Sequence, residues 1–326
     1  MERFDEELRE MAEREAISTP EGFDGRLREA LDGLPPRKTR RGLGAMKTAL
    51  IAAAACALLA GTAFAASPGL REMLAQALGG FAPYAQELDS QVYTWNGFEI
   101  KALSAMADEN MVRVFVQVRD MEKRELLDID GAWGEDSPWL WISEAESGEA
   151  FRASSQGHNY RHYDGETQTA VSVVTAWGEI TEDLTGAVLK ADTPLNMMDN
   201  PQNAAVQIPF EVEVRTSQTV LRDVETGGFR LEEIRLSPLS VTVELSKDDA
   251  GRFSREFVDG ETHAIRVKLR DGTVIDTEET YHSGHKPSGG PGTDGARSVL
   301  IWNLADPAEP DQVAGIYVGE DYFPIQ

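Results

Sequence analysis

Thr48 to Ala66 is a run of nineteen residues without a charged side chain, and it constrains this chain more than any other stretch. At about 1.5 Å per residue, a helix over the run spans roughly 28 Å, close to the thickness of a bilayer core. Apolar residues occupy every face, which argues against a buried helix of a soluble domain. Arg37, Lys38, Arg40, Arg41 and Lys47 flank its N-terminal end, and no basic residue follows until Arg71. The positive-inside rule then places residues 1–47 in the cytoplasm and 68–326 outside. The alternative is a cleaved leader. Read from Met46, the run has a charged start, an apolar middle and a small-x-small end at Ala63-Phe64-Ala65. The long segment ahead of it, with helical organisation of its own, favours an uncleaved anchor. Ala53, Ala57, Gly61 and Ala65 form a stripe of small residues, a pattern that so much alanine also produces by chance.

Charge is distributed around this run. Residues 1–36 hold eleven acidic and five basic side chains, and residues 37–47 hold five basic and none acidic. Residues 68–326 carry the remaining 45 of 56 acidic and 21 of 31 basic residues. A region this acidic repels phosphate backbones, so nucleic acid is excluded as the expected partner. The single cysteine, Cys56, lies inside the apolar run, which leaves no intrachain disulfide and no cysteine-based zinc site.

Ahead of the run, Phe4, Leu8, Met11 and Ala12 recur at helical spacing. A second helix starts at Thr19-Pro20, an N-cap followed by proline at the first helical position, and ends at Gly33 and Pro35-Pro36. Phe23, Leu27, Leu31 and Leu34 form one stripe on it. Two helices this short bury little against each other, so the stripe is a candidate docking face for a cytoplasmic partner; a marginal helical hairpin is the alternative.

After the run, "GLREMLAQALGGF" reads as a short helix with Leu70, Met73, Leu74 and Leu78 on one side, ending at Gly79-Gly80. From about residue 88 the period changes to two. "QVYTWNGFEIKAL" alternates around an Asn96-Gly97 turn. "MVRVFVQVRD" sets Val112, Val114, Val116 and Val118 against Arg113, Phe115, Gln117 and Arg119, the pattern of a half-buried strand. The grammar then returns. "NGFEIKALS" parallels "GGFRLEEIRLS", with Gly97 and Gly228 131 residues apart, and "SVVTAWGEI" parallels "SVLIWNLAD", with Trp177 and Trp302 125 apart. Near-equal offsets predict a tandem repeat. The expected fold is mainly β: a helical segment 1–45, a transmembrane helix 46–67, a juxtamembrane helix 68–84, and two antiparallel, immunoglobulin-like β-sandwich domains at 85–214 and 215–326.

Catalytic signatures are not found: the sequence has no G-x-S-x-G, P-loop, dinucleotide fingerprint or H-E-x-x-H. His158 with His162, and His282 with His285, have spacings compatible with metal ligation, but neither pair has an obvious third ligand, and all four read as exposed loop histidines. "DIDGAWGED" at 128–136 has the look of a calcium loop, except that Ala132 stands where such a loop wants Asp or Asn, so it reads as a solvated acidic turn. No catalytic residue, metal or cofactor is assigned.

The layout resembles a family of bacterial, mainly Gram-positive, membrane proteins that carry an extracytoplasmic "domain of unknown function 4179" and are described as anti-sigma-factor-like. The resemblance rests on "TPEGFDGRLREALDGLP" before the run and "SPGLREMLAQALGGFAPYAQ" after it, on "NGFEIKALSAMADENMVRVFVQV", and on "IRLSPLSVTVEL". It implies a cytoplasmic part that restrains an extracytoplasmic-function sigma factor, and outer domains that sense an envelope ligand. Zinc-type anti-sigma factors are a departure, because residues 1–45 contain no His or Cys. The expectation is a single-pass cell-membrane protein, N terminus cytoplasmic, with a regulatory or sensory role and no enzymatic activity. A sigma factor would bind residues 1–45, and the lipid bilayer residues 48–66. The alternative is an anchored or secreted module that binds envelope ligands without signalling.

Overall fold

The computed structural model describes residues 68–124, 137–143, 151–180, 184–193, 196, 204–258, 265–286 and 297–325. The docking stripe Phe23, Leu27, Leu31 and Leu34, the basic cluster Arg37 to Lys47, the apolar run and the acidic turn 128–136 lie outside these residues. Among the described residues no helix is long and apolar enough to cross a membrane.

Helix α1 (Pro68–Leu78) opens the described chain and passes into a 3₁₀ segment, Gly79–Tyr84. Gly79 adopts φ +51, a left-handed position that glycine takes at no steric cost and that ends the helix. The rest is mainly β. In the first half the strands are β1 (Gln86–Glu87), β2 (Tyr93–Trp95), β3 (Phe98–Asp108), β4 (Met111–Asp120), β5 (Trp139–Ser143), β6 (Phe151–Asp164), β7 (Thr169–Ile180), β8 (Leu184–Asp192) and β9 (Val206–Val212). A short β10 (Val214–Arg215) leads to the second half: β11 (Gln218–Thr226), β12 (Phe229–Leu236), β13 (Ser240–Ser246), helix α2 (Lys247–Val258), β14 (Ile265–Leu269), β15 (Val274–Lys286), β16 (Arg297–Leu304), β17 (Val313–Val318) and β18 (Asp321–Pro324).

The strand orders of the halves correspond. The first half runs β2-β3-β4-β7-β6 in one sheet and β5-β8-β9 in another. The second half runs β11-β12-β13-β16-β15 and continues through β14-β17-β18. Gly97 and Gly228 occupy equivalent turns, β2–β3 and β11–β12, at φ +77 and +79. Trp177 and Trp302 stand in equivalent central strands, opposite Met111 and Val241.

The halves differ in how their sheets join. In the second half, residues 274–276 of β15 pair with β14, while residues from Thr277 onward pair with β16, so one strand carries both leaves. A single eight-stranded sheet results, where the sequence suggests two separate sheets of a sandwich. Among the described residues of the first half no such ladder joins β5 to β6. Two side chains stand in for it. The Gln156 amide accepts from the Ile142 N–H and donates to the Ile142 carbonyl, both at 2.8 Å, and His158 Nδ1 accepts from the Leu140 N–H at 3.3 Å. Buried backbone groups must find partners, and here the side chains supply them.

Two further points depart from the sequence reading. β4 follows its pattern in part: Val112, Val114, Val116 and Val118 are fully buried on one face, and on the other Arg113, Gln117 and Arg119 are partly or fully exposed while Met111 and Phe115 are 1% exposed. A register shift between Ala102 and Ser104 of β3 resets the alternation. Phe98, Ile100, Ala102, Ala105 and Ala107 therefore face the β5-β8-β9 sheet, while Leu103 and Met106 join the core on the opposite side. In addition, β10 pairs β3 in parallel, an exception to the antiparallel expectation.

Candidate functional site at the junction of the halves

Equivalent hairpins meet where the halves join. Asp108 ends β3 and is fully buried. Its Oδ1 accepts from the backbone N–H groups of Asn110 at 2.8 Å and Met111 at 2.9 Å, which shapes the β3–β4 turn. Its Oδ2 accepts from the Ser240 hydroxyl at 2.6 Å and from the Ser237 hydroxyl. Those serines bracket the β12–β13 turn of the other half, where Ser237 Oγ also accepts from the N–H groups of Leu239 at 3.0 Å and Ser240 at 2.9 Å. One carboxylate therefore organises both turns. Burial pushes its pKa up from the ordinary carboxylate value, against the pull of the hydrogen bonds from Ser237, Ser240, Asn110 and Met111.

Further contacts cross the junction. The Trp177 indole donates to Asn303 Oδ1 at 2.9 Å, both groups buried. Asn303 directly follows Trp302, so the tryptophan of one half binds the neighbour of its counterpart. Arg235 of β12 pairs with Glu109 at 2.5 Å, and Glu109 also accepts from the Ser217 hydroxyl at 2.5 Å.

The segment 68–84 touches both halves. α1 lies across β6 and β7. Leu74, Leu78 and Phe81 share one buried cluster with Phe115 and Trp177 of the first half and Ile301 and Leu304 of the second. The Arg113 guanidinium sits 6.0 Å from the Phe81 ring centre and donates from Nε to Thr175 at 3.2 Å. The 3₁₀ part also reaches the second half. A Cβ on Gly80 would stand 2.9 Å from both Asp306 Oδ1 and Pro307 Cδ. The Tyr84 hydroxyl donates to Glu309 at 2.9 Å, and Arg215 covers the Tyr84 ring at 5.6 Å. Burial first, and the Glu309 carboxylate second, push the Tyr84 phenol well above its ordinary pKa.

The histidines sit elsewhere than expected. His158 is a buried strand residue, 5% exposed, packed edge-on to Trp139 and hydrogen-bonded to Ser172. Burial lowers its pKa to about 3, so the ring is neutral at ordinary pH. Ser172 is fully buried, which keeps its hydroxyl from any substrate and makes the pair a tie between strands. His162 lies on β6, and His282 and His285 lie on β15 opposite Ile301 and Ser298, in strands and not in a loop. Among the described residues no group of three or more His, Cys, Asp or Glu side chains is placed to hold a metal ion.

The junction residues were not singled out by the sequence. Asp108-Glu109-Asn110 is a recognisable turn, and Ser237 and Ser240 bracket "SPLS", but nothing in either string says that the two turns meet.

No protein-family model and no curated protein matches this chain. A solved structure described as the conserved domain protein from Bacillus anthracis is similar at a TM-score of 0.36 and 13% identity, over 72% of this chain and 76% of that one.

Proposed function

We propose that this chain is a single-pass membrane regulator whose outer β-module, a tandem of immunoglobulin-like sandwiches, reports to the cytoplasmic segment 1–45. That segment restrains a partner through Phe23, Leu27, Leu31 and Leu34, in the manner that the anti-sigma-factor-like family implies. The observation that carries the reading is the placement of α1. It starts at Pro68, two residues beyond the apolar run, and its apolar side is already part of the module's core. A module meant only to be held near a membrane works on a loose tether. A module whose core begins at the foot of the span can pass a change of state to it.

The test captures partners on the full-length chain extracted in mild detergent from its native host. Recovery of a sigma factor with the wild-type chain, and its loss with Leu27→Asp, supports the proposal. Equal recovery of all partners by both chains overturns it and moves the envelope-binding alternative ahead.

A further inference from the structure

We propose that the two halves form a clamp on the segment 68–84, and that the contact of Asp108 with Ser237 and Ser240 is the latch that keeps the clamp shut. The inference deepens the regulatory reading and rests on it for its biological meaning. Its physical content concerns the outer module alone.

The segment's contacts are divided between the halves. α1 rests on β6 and β7 of the first and shares a buried cluster with Ile301 and Leu304 of the second, while Gly80 lies close against Asp306 and Pro307 and Tyr84 donates to Glu309, all of the second. Gly79, with its left-handed φ, separates α1 from the 3₁₀ part through which Gly80 and Tyr84 reach the second half. If the halves part by even one hydrogen-bond length, the segment must let go of one of them. An eleven-residue helix is too short to persist in water without packing, so release means unwinding. The state of the junction is thereby converted into the folded or frayed state of a helix next to the apolar run.

The latch is suited to two discrete states. It is buried and polar, and it places two hydroxyls and two amides on one carboxylate. Closed, every donor is satisfied. Parted without water, a buried acceptor loses half its partners and is left unsatisfied. Intermediate separations are the least favourable, which makes the contact a switch and not a spring.

Hydrogen exchange by mass spectrometry on the full-length chain in nanodiscs tests this. In Ser237→Ala/Ser240→Ala, amides of residues 70–84 should exchange at least about tenfold faster, while amides of β8 and β9 stay as in wild type. Unchanged protection at 70–84 overturns the proposal. So does an equal loss of protection in β8 and β9, because the serines would then support only global stability. Linkage supplies the second arm, which does not depend on the double variant folding. Tyr84→Phe removes the hydrogen bond to Glu309 and should speed exchange at Leu239 and Ser240. No change there overturns the proposal, since a clamp that holds the segment must in turn be held by it. The failure to capture a partner would sink the regulatory reading without altering either exchange result.

Discussion

His158 shows what a buried residue costs. Its ring accepts the Leu140 N–H in place of a strand ladder, and it does so only while neutral. Burial lowers its pKa from the ordinary 6.5 to about 3 in the fold. Between those values the unfolded chain binds a proton that the folded chain refuses. The stability contributed by the neutral ring is therefore whole above pH 6.5 and drains away as the pH falls toward 3. By pH 5 the loss attributable to this residue should be about 2 kcal/mol. Urea unfolding of the wild type and of His158→Gln at pH 7 and pH 5 measures it. The variant should be less stable at pH 7 yet lose less on acidification, and equal losses in the two proteins would refute the assignment. Gly80 makes a second residue-scale case. Gly80→Ala places a methyl 2.9 Å from the Pro307 ring and Asp306, and should cost about 1–3 kcal/mol by the same unfolding assay.

At the scale of elements, α2 is the instructive one. Val241, Val243 and Leu245 alternate as a strand does, and the strand is there. The helix after it carries a signal of its own. Ser246 Oγ accepts from the Asp249 N–H at 3.2 Å and donates to the Asp249 carboxylate at 3.1 Å, a capping pair written in the sequence as Ser-Lys-Asp-Asp. Phe253 then inserts fully buried between Phe229 and Trp302, ring centres 5.3 and 6.2 Å away. Ser246→Ala should cost about 1 kcal/mol and Phe253→Ala about 3–5 kcal/mol, read as shifts in the unfolding midpoint. On the proposed docking stripe Phe23, Leu27, Leu31 and Leu34, Leu27→Asp or Leu31→Asp should weaken partner binding by about tenfold or more, and Arg28→Ala should leave it unchanged. Titration calorimetry with the captured partner decides between those outcomes. Strands and turns were legible because period two, Asn-Gly and Gly-Gly are local signals. The junction was not, because Asp108 and Ser237 are 129 residues apart and each turn is complete as a string.

For the whole molecule, the proposed topology predicts that reporters fused at residue 40 and at the C terminus report opposite sides of the membrane. A mature chain starting near Ala66 would show the cleaved-leader alternative instead. The joining of the sheets has a mechanical consequence. In the second half β15 belongs to both leaves, so the leaves cannot slide without breaking a covalent strand. In the first half, among the described residues, Gln156 and His158 stitch the corresponding seam, with apolar contact beside them. A ladder resists shear along its length, whereas stitches fail one at a time. Pulled between its two ends in an optical trap, the module should yield first along the β5–β6 seam. Gln156→Ala should lower that first rupture force and leave the rupture of the second half where it was. Tension carried by the chain is thus borne unequally by halves that share a strand order: one a bent plate, the other a sewn one.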